Sequence, residues 1–438
     1  MNESFDVVVV GAGLAGLAAG ATAAQGASTL ILDGHQPGGR ASTDERGTYR
    51  FNRGPHALYR SGEAQAVLAR LGVATPGAFP AVKGAQARLG DRVDALPTTA
   101  VTLLRSRLLS LRGKIALVRF LSGAKKWRPA DVAGLTVGQW LDTFKLPEDA
   151  RQVALWLVRT ATYTNNEDRL SADVAAGQIQ LALVNNVLYL DNGWGSMVDS
   201  LAAAAQRNGA EIRTGASVTS IKRRSDGDLV LTLSGGEEIQ AGSVVLAAGT
   251  PGAAAALLGD RPPAWRDLGP EVEASVLDLG LQRGLEHPNL FGIDPPIYLV
   301  DHAKSAKHLA PEGGGLVHVA RYLPLGDHTP AAELRAGLEE HARLYGVEPS
   351  NVEEQRFLLR MTVVGMVPTP ASGGLAGRPA IDSSGVPGVF VAGDWVGPRG
   401  WLADASLSSG EAAGQAAARD AARRADGVRT LSSRKDVA

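Results

Sequence analysis

The residues best suited to holding a ligand lie near the start of the chain. Gly11-Ala12-Gly13-Leu14-Ala15-Gly16 directly follows a continuous apolar run, Phe5 to Val10, and opens an alanine- and glycine-rich stretch, Leu14 to Gln25. The run reads as a buried strand and the stretch as a helix. In that setting Gly11 permits a tight turn, Gly13 lets the backbone approach a pyrophosphate, and Gly16 lets helix and strand pack closely. The helix N-terminus would offer unpaired N–H groups and a positive dipole end to the phosphates. Asp33 closes a second apolar run, Ser28 to Asp33, 22 positions after Gly11. A carboxylate there can accept from ribose hydroxyls. Strand, glycine turn, helix and terminal carboxylate together specify a dinucleotide site without saying which dinucleotide.

Further blocks follow. Gly38-Gly39-Arg40 comes a short loop after Asp33, and its glycines and guanidinium suit close approach to a phosphate. Val244-Val245-Leu246-Ala247-Ala248-Gly249 is another buried strand with a glycine at its end, and Val389-Phe390-Val391-Ala392-Gly393-Asp394-Trp395 a third. After Gly400 a small-residue helix runs through Ser409-Gly410-Glu411-Ala412-Ala413. In this order the blocks resemble the FAD domain of the amine oxidase, protoporphyrinogen oxidase and phytoene desaturase superfamily. The resemblance implies that Gly38, Gly39 and Arg40 wrap the pyrophosphate and ribityl of FAD. It implies that Asp394, after Gly393, reaches the ribityl or pyrophosphate, and that Val218 meets the adenine. The helix entered through Trp401, Leu402 and Ala405 would point its N-terminus at the flavin pyrimidine, stabilising negative charge on reduced flavin. Gly54-Pro55-His56 would bring a loop beside the isoalloxazine.

The reacting side is less defined. His56 reads as an acid/base or hydrogen-bonding group, or as a loop histidine paired to backbone. Trp401 reads as stacking near the ring system or as simply packed. Tyr163, Tyr189, Tyr322 and Arg360 are weaker candidates, and Arg360 alternates with Arg356 and Thr362 on one strand face. The lysine typical of amine oxidases in this superfamily has no evident counterpart, since Lys304 and Lys307 fall in a loop-like stretch. That favours dehydrogenation of an apolar substrate, where orientation in a dry cavity can suffice. An amine or amino-acid oxidase, a non-redox flavin mutase and a binding protein like the Rab GDP-dissociation inhibitors are the other readings. Gly313-Gly314-Gly315 precedes a strand and reads as a turn. Without a second fingerprint, electrons would leave to oxygen, a quinone or another acceptor.

A chain of 438 residues with 45% apolar and 20% charged composition suffices for two domains. The expected fold is α/β: a Rossmann-like FAD-binding domain from 1–75, 191–255 and 375–425, beside a second α+β domain from 76–190 and 256–374 on a mixed or antiparallel sheet. Residues 76–190 are helical in pattern, Glu211 to Lys222 reads as one strand, and 426–438 reads as a disordered tail. The formal net charge of −1 argues against nucleic acid. The absence of cysteine excludes disulfides, thiolate metal sites and a flavin tethered through sulfur, so FAD is expected noncovalently and no metal is expected. No signal peptide or run of roughly 18 apolar residues is visible, which makes a cytoplasmic location the expectation. One stretch, 98–128, carries eight basic and no acidic residues, interleaved with Leu104, Leu108, Leu111, Ile115 and Val118 at helical spacing. It can lie peripherally on an anionic membrane or be an ordinary solvated helix face.

Overall fold

The computed structural model describes residues 3–435 apart from 98 and 226, with side chains up to Arg424. Val7 to Val10 is a β-branched run buried on both faces, as the centre of a parallel sheet requires. It pairs in parallel with Thr29–Leu32 on one side and with Ser243 to Leu246 on the other. Strand order in this seven-stranded sheet is Glu211–Arg213, Thr29–Leu32, Glu3–Val10, Glu238–Leu246, Leu229–Leu233 and Val218–Arg223. Val389–Val391 pairs in parallel with the last three residues of Glu238–Leu246. The glycine turn, the Asp33 strand, the Gly249 strand and the Asp394 strand therefore all end at one edge.

Two helices cover one face of this sheet. Leu14–Ala23 is buried along its whole length, and Ala403–Lys435 crosses it closely. The closeness depends on small residues: a Cβ on Gly410 or Gly414 would lie 2.2 or 2.3 Å from the carbonyl oxygens of Ala15 and Ala19.

The second sheet orders Val352–Val364, Val272–Leu281, Gly315–Tyr322, Ile297–Asp301, Asn289–Gly292, Gln86–Leu89 and Arg92–Ala95. It is antiparallel except where Asn289–Gly292 runs parallel to Gln86–Leu89, so it is mixed. Ala331–Leu344 covers one face through Leu334, Leu338 and Ala342.

Three expectations change. The 76–190 stretch is not helical throughout, because Gln86–Leu89 and Arg92–Ala95 form a hairpin that closes the second sheet, and Val187–Leu190 is a strand. Its residues alternate, but too briefly to stand out beside the helices that follow. Glu211 to Lys222 divides into two strands, because Ala216 N turns to donate to Asp33 O. The expected tail instead continues the last helix to Lys435, since extending a formed helix costs far less than starting one. Residues 436–438 lie outside the described residues.

Candidate active site

A cavity of about 530 Å³ opens at the edge where those strands end. Gly11 lies at φ +100°, and a Cβ there would sit 2.4 Å from Ala247 O, so the turn can only be made by glycine. A Cβ on Gly16 would meet Gly11 O at 1.7 Å, which fixes the helix against the turn. Gly13 has nothing within 4 Å of its missing side chain, leaving bare backbone towards the cavity. Asp33 braces the turn: Oδ2 accepts from Ala12 N at 2.7 Å, and Oδ1 from His35 N at 2.8 Å. A carboxylate has about four acceptor positions, so both oxygens retain capacity for ribose hydroxyls. Val218 lines the same end, with Ala216 and Ser217.

Arg40 binds protein atoms. Nη1 donates to Asp394 Oδ2 at 2.6 Å and to Val363 O at 3.0 Å, and Nη2 donates to Gly249 O at 3.3 Å. The guanidinium thus clips three distant segments into one wall and keeps two N–H groups for a ligand. Asp394 is buried and its Oδ1 has no protein partner. Arg378, which sequence reading missed, donates to Asp394 O, Arg399 O and Gly400 O at 2.9, 3.2 and 2.8 Å. It fixes the Asp394 turn to the entry of the last helix. Nothing local to Arg378 signals this, because its partners are backbone carbonyls.

The exposed Arg53 also lines the cavity, and the wall beside His56 is mostly apolar. His56 Nδ1 lies 2.9 Å from Gly54 O, and its ring packs 4.6 Å from Trp194. Burial pushes its pKa down to about 4, so the imidazole is neutral at pH 7. Tyr163 lines the cavity, donates to Pro55 O at 2.9 Å and accepts from Tyr298 at 3.1 Å. Burial pushes its phenol up to about 12. Met361, Thr362, Val363 and Leu402 also line the cavity. Leu402 is held at φ 56°, a left-handed conformation costing on the order of 1 kcal/mol in a non-glycine residue.

The structure brings Gly11, Gly13, Leu14, Ala15, Asp33, Gly38, Gly39, Arg40, Pro55, His56, Val218, Gly249, Gly393, Asp394 and Leu402 to the cavity. Ala12, Gly16, Gly54 and Ala405 support it from behind. Trp401 is a correction: it is 1% exposed, donates from Nε1 to Thr162 O at 3.0 Å, and belongs to a buried core. The left-handed turn at Leu402 separates its ring from the cavity and places the Leu402 side in the lining instead. Tyr322 stands behind Tyr163 at 5.7 Å, Tyr189 stacks on His302, and Arg360 pairs with Asp327, so none of these three lines the cavity. Lys304 and Lys307 are exposed.

Behind the Gly54 loop lies a buried polar row. His318, Asp278 and Arg356 are neighbours across three adjacent strands, Gly315–Tyr322, Val272–Leu281 and the edge strand Val352–Val364. His318 Nδ1 is 2.5 Å from Asp278 Oδ1, and Arg356 Nε donates to Asp278 Oδ2 at 2.8 Å. Arg356 also donates to Asp44 and to Asn52 O, which anchors the loop carrying His56.

Bare glycine backbone at Gly13, the braced Asp33 and the unpartnered Asp394 oxygen fit the phosphates, ribose and ribityl hydroxyls of FAD. Comparison with known proteins agrees. A model of the FAD dependent oxidoreductase family matches residues 6–405. No curated protein matches the sequence. An oxidoreductase from Methanosarcina mazei is 17% identical with a TM-score of 0.75, over 92% of this chain and 99% of that one. Cyclohexylamine oxidase from Brevibacterium oxydans is 18% identical with a TM-score of 0.68, over 96% and 99%. A candidate protoporphyrinogen oxidase from Exiguobacterium is 18% identical with a TM-score of 0.69, over 96% and 99%. These identities speak for the fold alone. With the family match spanning most of its length, the chain belongs to the FAD-dependent oxidoreductases, and its cofactor is FAD.

Proposed function

We propose that this oxidoreductase dehydrogenates a neutral, largely apolar small molecule. The observation that carries the reading is the character of the wall around His56: Trp194, Tyr163, Met361, Val363 and Leu402, with no lysine in the lining and a histidine neutral at pH 7. Such a wall excludes water and holds a substrate by shape, leaving orientation as the main source of rate. Bound FAD supplies the hydride acceptor at N5. The Arg40–Asp394 clip and the Arg378 bonds hold the cavity walls in register, and Tyr163 stiffens the loop at Pro55.

Oxidation of an amine is the second reading. The ring of Tyr163 in the lining suits a cation or an uncharged amine, and a cyclohexylamine oxidase shares the fold. Anaerobic mixing of the FAD-loaded protein with a panel of lipophilic and amine compounds separates the two. Flavin bleaching by apolar C–H donors supports the first reading. Bleaching by amines only, with hydrogen peroxide on readmitting air, replaces it with the second.

A further inference from the structure

The stretch between Pro97 and Ala130 buries only part of its apolar surface. On the helix Leu111–Gly123, Gly113, Leu117 and Phe120 form the buried line, continued by Ala124, and pack towards the helix Glu148–Thr162. Phe120 closes a ring cluster with Trp127, Trp140 and Phe144. A second apolar line has no such cover. Val101, Leu104, Leu111, Ile115 and Val118 are 58, 73, 71, 47 and 50% exposed. Leu111, Ile115 and Val118 follow the i, i+4, i+7 spacing of one helix face, and Leu104 belongs to the short helix Ala100–Arg105 just before it. Single exposed aliphatics are ordinary, but five within one short segment mark a surface that meets another apolar phase.

Charge selects that phase. Arg105, Arg107, Arg112, Lys114, Arg119, Lys125, Lys126 and Arg128 share the segment with no Asp or Glu. None of them forms an ion pair among the described residues; the neighbouring pairs Arg88–Asp91 and Arg151–Glu167 are made by other arginines. Two carboxylates that approach the segment are occupied by its backbone. Asp94 accepts from Arg107 N at 2.6 Å, and Asp149 accepts from Ser110 N at 2.5 Å. A second copy placed here would set cations against cations. An anionic bilayer supplies an acyl phase and negative phosphates together, and long basic side chains reach the phosphates while their stems stay apolar. No helix among the described residues is long and apolar enough to cross a membrane, so the contact is interfacial.

We infer that the face running from Val101 to Val118 docks on an anionic lipid surface, with Leu104, Leu111, Ile115 and Val118 at the headgroup–acyl boundary and the arginines on lipid phosphates. The inference stands whatever the substrate is. It is tested by sedimenting the full-length, FAD-loaded protein with phosphatidylcholine vesicles, with and without about 30% phosphatidylglycerol. The wild type binds the mixed vesicles at low salt, and binding falls about tenfold or more as salt is raised towards about 0.5 M. Replacing Leu104→Ser, Leu111→Ser and Ile115→Ser together lowers binding about tenfold at every salt concentration. Replacing Arg105→Gln, Arg112→Gln and Arg119→Gln together removes most of the salt dependence. All six side chains are exposed, so retained flavin colour and an unchanged circular dichroism spectrum are expected. Wild-type protein that stays in the supernatant with mixed vesicles at low salt overturns the inference. So does equal binding to pure phosphatidylcholine, or an aliphatic variant that binds like wild type. Concentration-dependent dimers that the aliphatic variant abolishes would make the face an interface between copies and equally overturn it.

Discussion

Replacing Arg40→Met tests how the cavity wall is held. The carboxylate of Asp394 is 3% exposed, its Oδ1 has no partner, and its Oδ2 accepts from Arg40 at 2.6 Å and from Gly365 N at 3.3 Å. Without the guanidinium, a buried charge is left with one long hydrogen bond. Breaking a fully buried pair costs about 3–5 kcal/mol. The Arg40 side chain is 34% exposed, so water entering its place screens part of that, and about 2 kcal/mol is the share from the orphaned carboxylate. The carbonyls of Val363 and Gly249 also lose donors, adding roughly 1 kcal/mol between them. The expected loss for the FAD-free protein is thus about 3 kcal/mol. Adding Asp394→Asn removes the stranded charge, so the double variant should recover about half of it, and the coupling is that recovery plus whatever Asp394→Asn costs alone. Urea denaturation of the four proteins measures the cycle, and titration with FAD reports the cost to binding. If Arg40→Met melts within about 0.5 kcal/mol of wild type, or the double variant is no more stable than the single, the clip does not hold the wall.

The remaining predictions concern the cofactor and pH. Asp33→Ala removes the acceptor for Ala12 N and for the ribose, so FAD affinity should fall by about 1.5–3 kcal/mol while the protein still folds; unchanged affinity on titrating the apoprotein would place the ribose contact elsewhere. With no cysteine in the chain, acid or heat should release the flavin, and colour that remains with the denatured polypeptide would contradict noncovalent binding. Burial pushes the pKa of His341 from 6.5 down to about 4. The unfolded chain therefore binds the extra proton in that window, so stability present above pH 6.5 is lost as pH falls towards 4, by about 3 kcal/mol in full. His341→Leu should flatten the pH dependence of the denaturation midpoint between pH 7 and 5, and an unaltered slope would refute the assignment.

Much of the cofactor site was legible in the sequence because it is made by short-range backbone geometry. The turn at Gly11, the close packing at Gly16 and the carboxylate of Asp33 belong to one βαβ unit, where residue type and local conformation determine one another. Gly393-Asp394 is legible for the same reason, as a turn just after a strand, whereas Gly38-Gly39 lies in the loop after Asp33 and was legible through the family resemblance. A mixed or antiparallel second sheet was also expected in outline, with Arg356, Arg360 and Thr362 alternating on one strand face. Alternation states which side chains share a face but not what covers it. Arg356 shares a strand face with Arg360 and Thr362 and is buried against Asp278, a residue 78 positions away.

Only the tertiary structure decided what surrounds each side chain. Arg40 meets Asp394 across 354 positions, His56 packs on Trp194, and Trp401 turns into the core to reach Thr162. Those pairings depend on how two sheets and a helical layer close on one another, and no local spacing encodes them. The same closure decided that one apolar line of the basic helix is covered while the other faces out. The sequence determined where backbone bends and what it can hold; the assembled layers determined which charges are neutralised, which rings are hidden and which surface is left for a partner. The physical reason is that backbone conformation follows from neighbours in the chain, whereas desolvation and pairing follow from neighbours in space.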